Sequence, residues 1–201
     1  NWKDLLLNLI LAEVRAKSDI ALATASSGIA ATLLDGGRTA HSTFNLPLNL
    51  AREERSVCNI SKQSGQATLL KNCKLIVWDE CTMAHKKGLE MLDATLRDLR
   101  NCERPMGGVS VILAGDFRQT LPIITRGTPA DEIAACMKQS TLWRQVSKYK
   151  LSLNMRALAT GDPEVHKISE TLLKIGNGQI PHIDGKMRIP QGISNPVSSK
   201  E

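Results

Sequence analysis

The sequence has no apolar run close to the about 18 residues that a membrane-spanning helix requires. Its apolar opening, NWKDLLLNLILAEVR, has no basic stretch before it and no small-residue cleavage site, so it does not have the form of a secretory signal peptide. Repeats and low-complexity blocks are also absent. We therefore expect neither membrane insertion nor secretion. A content of 42% hydrophobic and 23% charged residues is typical of an ordinary globular protein.

The cysteines are odd in number and include no C-x-x-C pair, which argues against a disulfide framework and against a zinc site. The four histidines stand too far apart in the sequence to complete a cluster of metal ligands. We interpret the cysteines as small buried hydrophobic residues in a reducing compartment. They are Cys58, Cys73, Cys81, Cys102 and Cys136.

Aromatic residues make up only 3% of the chain, and acidic residues are fewer than basic ones. The resulting net charge of +6 is compatible with an anionic partner. A basic surface without any such partner explains the charge equally well.

Short apolar runs alternate with helical patterns along the chain. The runs Ile20–Thr24, Lys74–Trp78, Val109–Ala114 and Tyr149–Leu153 are typical of buried strands. Helices are predicted over 5–16, 29–34, 89–99 and 164–175. Fully apolar strands that alternate with helices predict an α/β fold, with a parallel sheet covered by helices on both faces.

Polar clusters follow each predicted strand, and ligands of open parallel sheets bind beyond the carboxyl ends of the strands. Asp79 can hold Mg²⁺ and Glu80 can deprotonate an attacking water, although two acids can also simply begin a loop. The amide of Gln119 can bind a terminal phosphate, or else belong to a polar loop. Arg156 can stabilise a transferred phosphoryl group, or form a surface ion pair.

Two hydroxyl-rich segments have both a functional and a structural interpretation. Residues 26–28 can offer backbone N–H groups to a phosphate, or Ser26 or Ser27 can simply cap the following helix. The segment 38–44 contains a cation, hydroxyls and one aromatic ring, as a single-strand binding surface does. Phe44 is equally compatible with a place in the core.

Four motifs in this order resemble the petite-integration-frequency (Pif) family of DNA helicases, and most closely its branch carried by Helitron transposons. They are ATASSGIAATLLDGGRTAHSTF, LIVWDECTM, AGDFRQTLPII and LSLNMR. The resemblance runs from about Leu5 to Gly178. It implies a RecA-like P-loop NTPase motor domain over residues 1–178, and a linker or the start of a second motor domain over 179–201.

The resemblance also implies an activity, which is ATP-dependent 5′ to 3′ movement on single-stranded DNA and DNA junctions. It implies roles in DNA repair, recombination and telomere maintenance, in the nucleus or alternatively the mitochondrion. ATP and Mg²⁺ are the implied cofactors. The implied nucleotide residues are Lys3, Asp79 for the metal, Glu80 as the catalytic base, Asp116, Gln119 and Arg156. The implied DNA-binding residues are Ser26, Ser27, Gly28, Thr39, His41, Ser42 and Phe44.

The sequence departs from the family at Trp2-Lys3-Asp4, where the family has a glycine-rich loop that ends Gly-Lys-Thr. Lys3 takes the place of the phosphate-gripping lysine, whereas Asp4 replaces a metal-binding hydroxyl. We therefore expect the first strand, the phosphate loop and the second motor domain to be missing, and the 201-residue chain alone to lack ATPase activity. The alternative function is a non-catalytic remnant that binds single-stranded DNA.

Overall fold

The computed structural model describes residues 2–152, 163–183 and 186–187. The chain forms two compact units, Asn1–Lys148 and Tyr149–Glu201. The predicted motor domain, 1–178, extends over both units, and its boundary at residue 178 stays a prediction.

The first unit is built on a four-stranded sheet in which every pairing is parallel. The strand order is β2-β1-β3-β4, so β3 lies in the interior of the sheet. Three of the predicted strands are confirmed, with boundaries that move by no more than one residue. The strands are β1 (Ile20–Ala25), β2 (Arg38–Thr39), β3 (Cys73–Asp79) and β4 (Ser110–Leu113).

Helices cover both faces of this sheet, which confirms the predicted fold class. The helices of the first unit are α1 (Trp2–Ala16), α2 (Gly28–Thr32), α3 (Ala40–Phe44), α4 (Gly65–Asn72), α5 (Lys86–Arg100) and α6 (Pro129–Ala135). Single 3₁₀ turns lie at Leu50–Arg52, Cys81–Met83, Pro105–Gly108, Met137–Gln139 and Thr141–Gln145.

The side chains of β3 explain why helices cover both faces of the sheet. Successive side chains of a strand point to opposite faces. Leu75 and Val77 pack with Leu7 and Leu11 of α1 on one face. Ile76 and Trp78 belong to the other cluster, together with the apolar stripe that the sequence predicts for α5. That stripe is Leu89, Leu92, Leu96 and Leu99, and all four are buried.

Capping side chains fix the ends of several helices. Thr128 and Asp131 form a reciprocal capping box that begins α6, with Pro129 in its first turn. The side chain of His85 accepts a hydrogen bond from the first turn of α5, and Asn101 ends that helix in the left-handed conformation. Within the described residues, no helix is both long enough and apolar enough to cross a membrane.

The second unit contains α7 (Pro163–Gly176) and a short antiparallel pair, β5 (His182–Ile183) and β6 (Lys186–Met187). Helix α7 confirms the helix predicted over 164–175. The strand predicted over Tyr149–Leu153 is wrong in its described part, because residues 149–152 form no strand. Tyr149 is 94% exposed and Leu151 is 63% exposed, so this apolar run has no buried surface on which a strand would be stabilised.

Phe44 generates a prediction about stability. Its ring is fully buried at the end of α3, 5.6 Å from the ring of Trp78. We expect Phe44→Ala to lower the free energy of unfolding by about 3–5 kcal/mol, because it leaves a cavity in the core. Urea unfolding followed by far-UV circular dichroism measures the change. Leu48→Ala is the control, since Leu48 is 94% exposed, and we expect it to shift the value by less than about 0.5 kcal/mol. Equal losses in the two variants would contradict this prediction.

Candidate functional site

The candidate site begins where β3 ends. Asp79 is the last residue of the strand and is only 1% exposed. Glu80 follows in the left-handed conformation, with φ of 48°, which residues other than glycine seldom adopt. Such a conformation costs free energy and is concentrated at functional positions. The two predicted acids therefore stand together at the carboxyl end of β3, which is an interior strand.

Lys3 brings a cation to these acids from the first turn of α1. Its Nζ lies 2.7 Å from Asp79 Oδ1 and also donates a hydrogen bond to Glu80 Oε1. Burial alone would lower the pKa of Lys3, but hydrogen bonds and charge attraction from the two carboxylates outweigh it, and the pKa is raised above 10.5. Residues that are 76 positions apart in the sequence thus form one charged cluster.

The end of β4 is held against the end of β3. The backbone N–H of Ala114 donates to the Trp78 carbonyl, and that of Cys81 donates to the Ala114 carbonyl, both at 2.9 Å. A Cβ on Gly115 would lie 2.9 Å from Thr82 Cγ2. Any side chain at position 115 would therefore require the Thr82 methyl group to shift.

The loop after β4 carries Asp116 and Gln119. The Asp116 carboxylate accepts two hydrogen bonds from the Arg118 guanidinium, at 2.9 and 3.0 Å, and these lower the pKa of Asp116. Gln119 is exposed, and its described contacts are with Asp116. The nucleotide-binding roles of Asp116 and Gln119 stay predictions. Arg118 was not among the predicted site residues, and its pairing with Asp116 is local, two positions along the chain.

The donor atoms at the end of β3 are compatible with a magnesium–nucleotide complex. Asp79 Oδ2 and Thr82 Oγ1 are buried without a hydrogen-bond partner among the described residues, and so is Asp4 Oδ1. No three His, Cys, Asp or Glu residues of the described chain are grouped to hold a metal ion by themselves. Mg²⁺ in nucleotide sites is bound by one or two carboxylates together with water and substrate phosphates. Asp79 fits that mode of binding.

Ser26 connects the first hydroxyl-rich segment to the acids. Its backbone N–H donates to the Asp79 carbonyl at 3.0 Å, and its Oγ accepts from Trp78 Nε1 at 3.0 Å. Ser27 caps α2, since its Oγ accepts from the Ala30 N–H at 3.2 Å, which confirms the capping interpretation for this residue. A Cβ on Gly28 would meet no atom within 4 Å.

In the second hydroxyl-rich segment, 38–44, several polar side chains form hydrogen bonds within the protein. Thr39 caps α3 by accepting from the Ser42 N–H, and Ser42 Oγ accepts from Arg38 Nη2 at 3.1 Å. His41 is half-buried. Phe44 corrects the sequence-based expectation: its ring is fully buried on Trp78, so it is a core residue and cannot stack on a base.

Arg156 lies outside the described residues, so its predicted contact with the γ-phosphate stays a prediction. Four of the five cysteines are buried, as interpreted from the sequence, and Cys102 is partly exposed.

A family model described as PIF1-like helicase matches residues 2–186. The chain belongs to the PIF1-like helicase family. It is 33% identical over 136 residues to the ATP-dependent DNA helicase Pif1 of Psychrobacter sp. (strain PRwf-1), an alignment that covers 68% of this chain and 20% of that protein. The chain thus spans a fifth of the length of this relative.

Solved structures of the family share the fold. A Bacteroides Pif1 bound to single-stranded DNA is 26% identical, with a TM-score of 0.57 over 72% of this chain and 34% of that one. The Pif1 helicase of Candida albicans is 24% identical, with a TM-score of 0.68 over 89% of this chain and 39% of that one. The first unit is accordingly a RecA-like PIF1-type fold.

The charged cluster generates a prediction about pH. Because the pKa of Lys3 is raised by folding, its contribution to stability is fully present below pH 10.5 and is lost as pH rises through the folded-state value. An arginine at this position stays protonated throughout that range. We therefore expect the free energy of unfolding to fall more steeply above pH 10.5 in the wild type than in Lys3→Arg, as measured by urea unfolding on both sides of that pH. If the free energy of unfolding falls equally with pH in the two proteins, Lys3 does not stabilise the fold through its pairing with Asp79 and Glu80.

Proposed function

We propose that this chain is part of an ATP-dependent DNA helicase motor that hydrolyses ATP at the carboxyl end of β3. The observation that carries the proposal is the cluster of Lys3, Asp79 and Glu80, which places a cation and two acids at one sheet end. The name of the Psychrobacter relative, an ATP-dependent DNA helicase, supports the same reaction.

Each residue of the cluster has a distinct task in this proposal. Asp79 would hold Mg²⁺, which would neutralise phosphate charge. Glu80 accepts the proton of the attacking water and thereby generates the nucleophile. Lys3 neutralises the two acids in the structure, and its ammonium, 2.7 Å from Asp79 Oδ1, would also pair with a nucleotide phosphate bound at this strand end.

The DNA partner is proposed from both the fold and the relatives. Ser26 is tied to Asp79 by a backbone hydrogen bond, and a Bacteroides Pif1 of this fold is bound to single-stranded DNA. We place single-stranded DNA, and DNA junctions, along residues 26–28 and 39–42. Movement from 5′ to 3′, a Helitron-like origin, a nuclear or mitochondrial location, and roles in repair, recombination and telomere maintenance are further proposals from the family resemblance.

A second candidate function is a DNA-binding remnant without catalysis. The observation that favours it is Asp4, a buried acid in the first turn of α1, where the family has a metal-binding hydroxyl. A carboxylate at that position would repel the phosphates of ATP. The next experiment separates the two candidates.

We expect Glu80→Gln to reduce ATP turnover by about 10²–10⁴-fold while nucleotide binding is kept, because the amide removes the base and leaves Asp79 in place. The measurement is DNA-stimulated phosphate release by the Psychrobacter helicase after residues 2–152 of this chain replace its matching segment. Asp79→Asn is the paired variant, and it should also weaken magnesium-dependent binding. A folded hybrid that binds DNA but never hydrolyses ATP, even with Glu80 present, would favour the remnant.

We also expect DNA affinity to fall steeply with salt and to depend little on sequence, because phosphate contacts dominate single-strand binding. Fluorescence anisotropy of the chain with labelled oligonucleotides at increasing salt gives the slope of log affinity against log salt. A flat slope would contradict binding through phosphates.

A further inference from the structure

We propose that a cavity beside Trp78 accommodates one base of bound single-stranded DNA, and that His85 donates a hydrogen bond to this base through Nε2. The inference rests on the proposed DNA-binding function and adds a residue and a mode of contact to it.

The cavity has a volume of 280 Å³ and opens at the carboxyl ends of β1 and β3. That volume is close to the lower limit of about 300 Å³ for small-molecule sites. Ser26 and His41, two of the residues proposed for DNA, lie in its wall, and so does the indole of Trp78. A strand that passes along residues 26–28 and 39–42 would therefore pass over its mouth.

The walls of the cavity suit a flat, uncharged ring. Leu50, Met83 and Pro122 contribute apolar surface, and Leu48 and Ile123 lie at the cavity as well. Leu48 is 94% exposed and Ile123 is 80% exposed. Large apolar side chains that are exposed around a pocket are typical of a binding surface.

The orientation of His85 defines which atom it presents. Its Nδ1 accepts a hydrogen bond from the Lys87 N–H at 3.1 Å, as the cap of α5. In a neutral imidazole with Nδ1 as acceptor, Nε2 carries the proton and is a donor. Nε2 has no hydrogen-bond partner in the part of the chain that the structure describes.

The charge of the two histidines at the cavity indicates which part of the DNA the cavity binds, a base or a phosphate. Burial lowers the pKa of His41, and burial together with Lys87 and Lys86 lowers the pKa of His85. Both imidazoles are therefore mainly in the neutral form at pH 7. A neutral donor in a wall that also holds apolar side chains fits a base, whose edges carry nitrogen and oxygen acceptors, better than it fits a phosphate. Because every base has such acceptors, the pocket tolerates sequence variation.

The test compares two labelled oligonucleotides of equal length, one of thymidines and one of abasic sites, in anisotropy titrations of the chain. The expected result is that His85→Ala weakens binding of the thymidine oligonucleotide by about 3- to 10-fold, the equivalent of one hydrogen bond, and leaves abasic binding unchanged. His85→Gln should restore part of the binding, because its amide N–H reaches the position of the imidazole Nε2. His85→Asn restores only the helix cap, since its amide stops one atom short of that position, and it should bind as His85→Ala does. His166→Ala is the matched control, since His166 lies on α7 and pairs with Glu170.

The outcomes separate the two proposals. If the wild type binds both oligonucleotides and His85→Ala weakens both equally or neither, the base pocket is wrong and DNA binding stands. If His85→Gln behaves as His85→Ala does, or if His85→Asn restores binding, the donor assignment is wrong. If the wild type binds neither oligonucleotide, the proposed DNA-binding function fails, and the pocket fails with it.

Discussion

Strand β3 is enclosed on every side: β1 and β4 pair with its two edges, and helices cover both faces. That enclosure brings Asp79 to the sheet end with almost no exposure to water. A carboxylate at such a position needs a partner charge, since an uncompensated buried ion costs several kcal/mol. Lys3 supplies it. Helix α1 is thus fixed to the sheet twice, by Leu7 and Leu11 in the core and by its first-turn ammonium at the strand end.

Patterns that depend on local burial could be predicted from the sequence. The apolar runs around Ile76 and Val111 are short and continuous, as strands of a covered sheet require, and both are strands. The leucine stripe of α5 repeats at helical spacing because one side of that helix faces the sheet. The placement of Asp79 and Glu80 at a strand end follows from the same reasoning. Helix α6 was not predicted, because apolar periodicity alone does not reveal it. The sequence does contain a signal for its start, which is the capping box of Thr128 and Asp131.

Features that depend on contacts between distant segments could not be predicted in this way. The run Tyr149–Leu153 has strand-like residues, but apolar character alone does not provide a neighbouring strand. Phe44 is compatible with either surface or core until the position of Trp78 is known. His85 has no local signature, because its cavity is closed by segments from β1 to the loop at Pro122. The pairing of Lys3 with the acids likewise depends on how α1 crosses the sheet.

Trp78 is an intrinsic fluorescent probe of the candidate site. It is the neighbour of Asp79 in the chain, its indole N–H is bonded to Ser26, and its ring lines the cavity. Among the three tryptophans, Trp2 is half exposed and Trp143 lies edge-on to Phe117, so the buried indole of Trp78 has the driest surroundings of the three. Indole emission shifts to the blue in dry surroundings. The short-wavelength part of the tryptophan fluorescence therefore comes from Trp78. This residue precedes Asp79 in the chain and is hydrogen-bonded to Ser26.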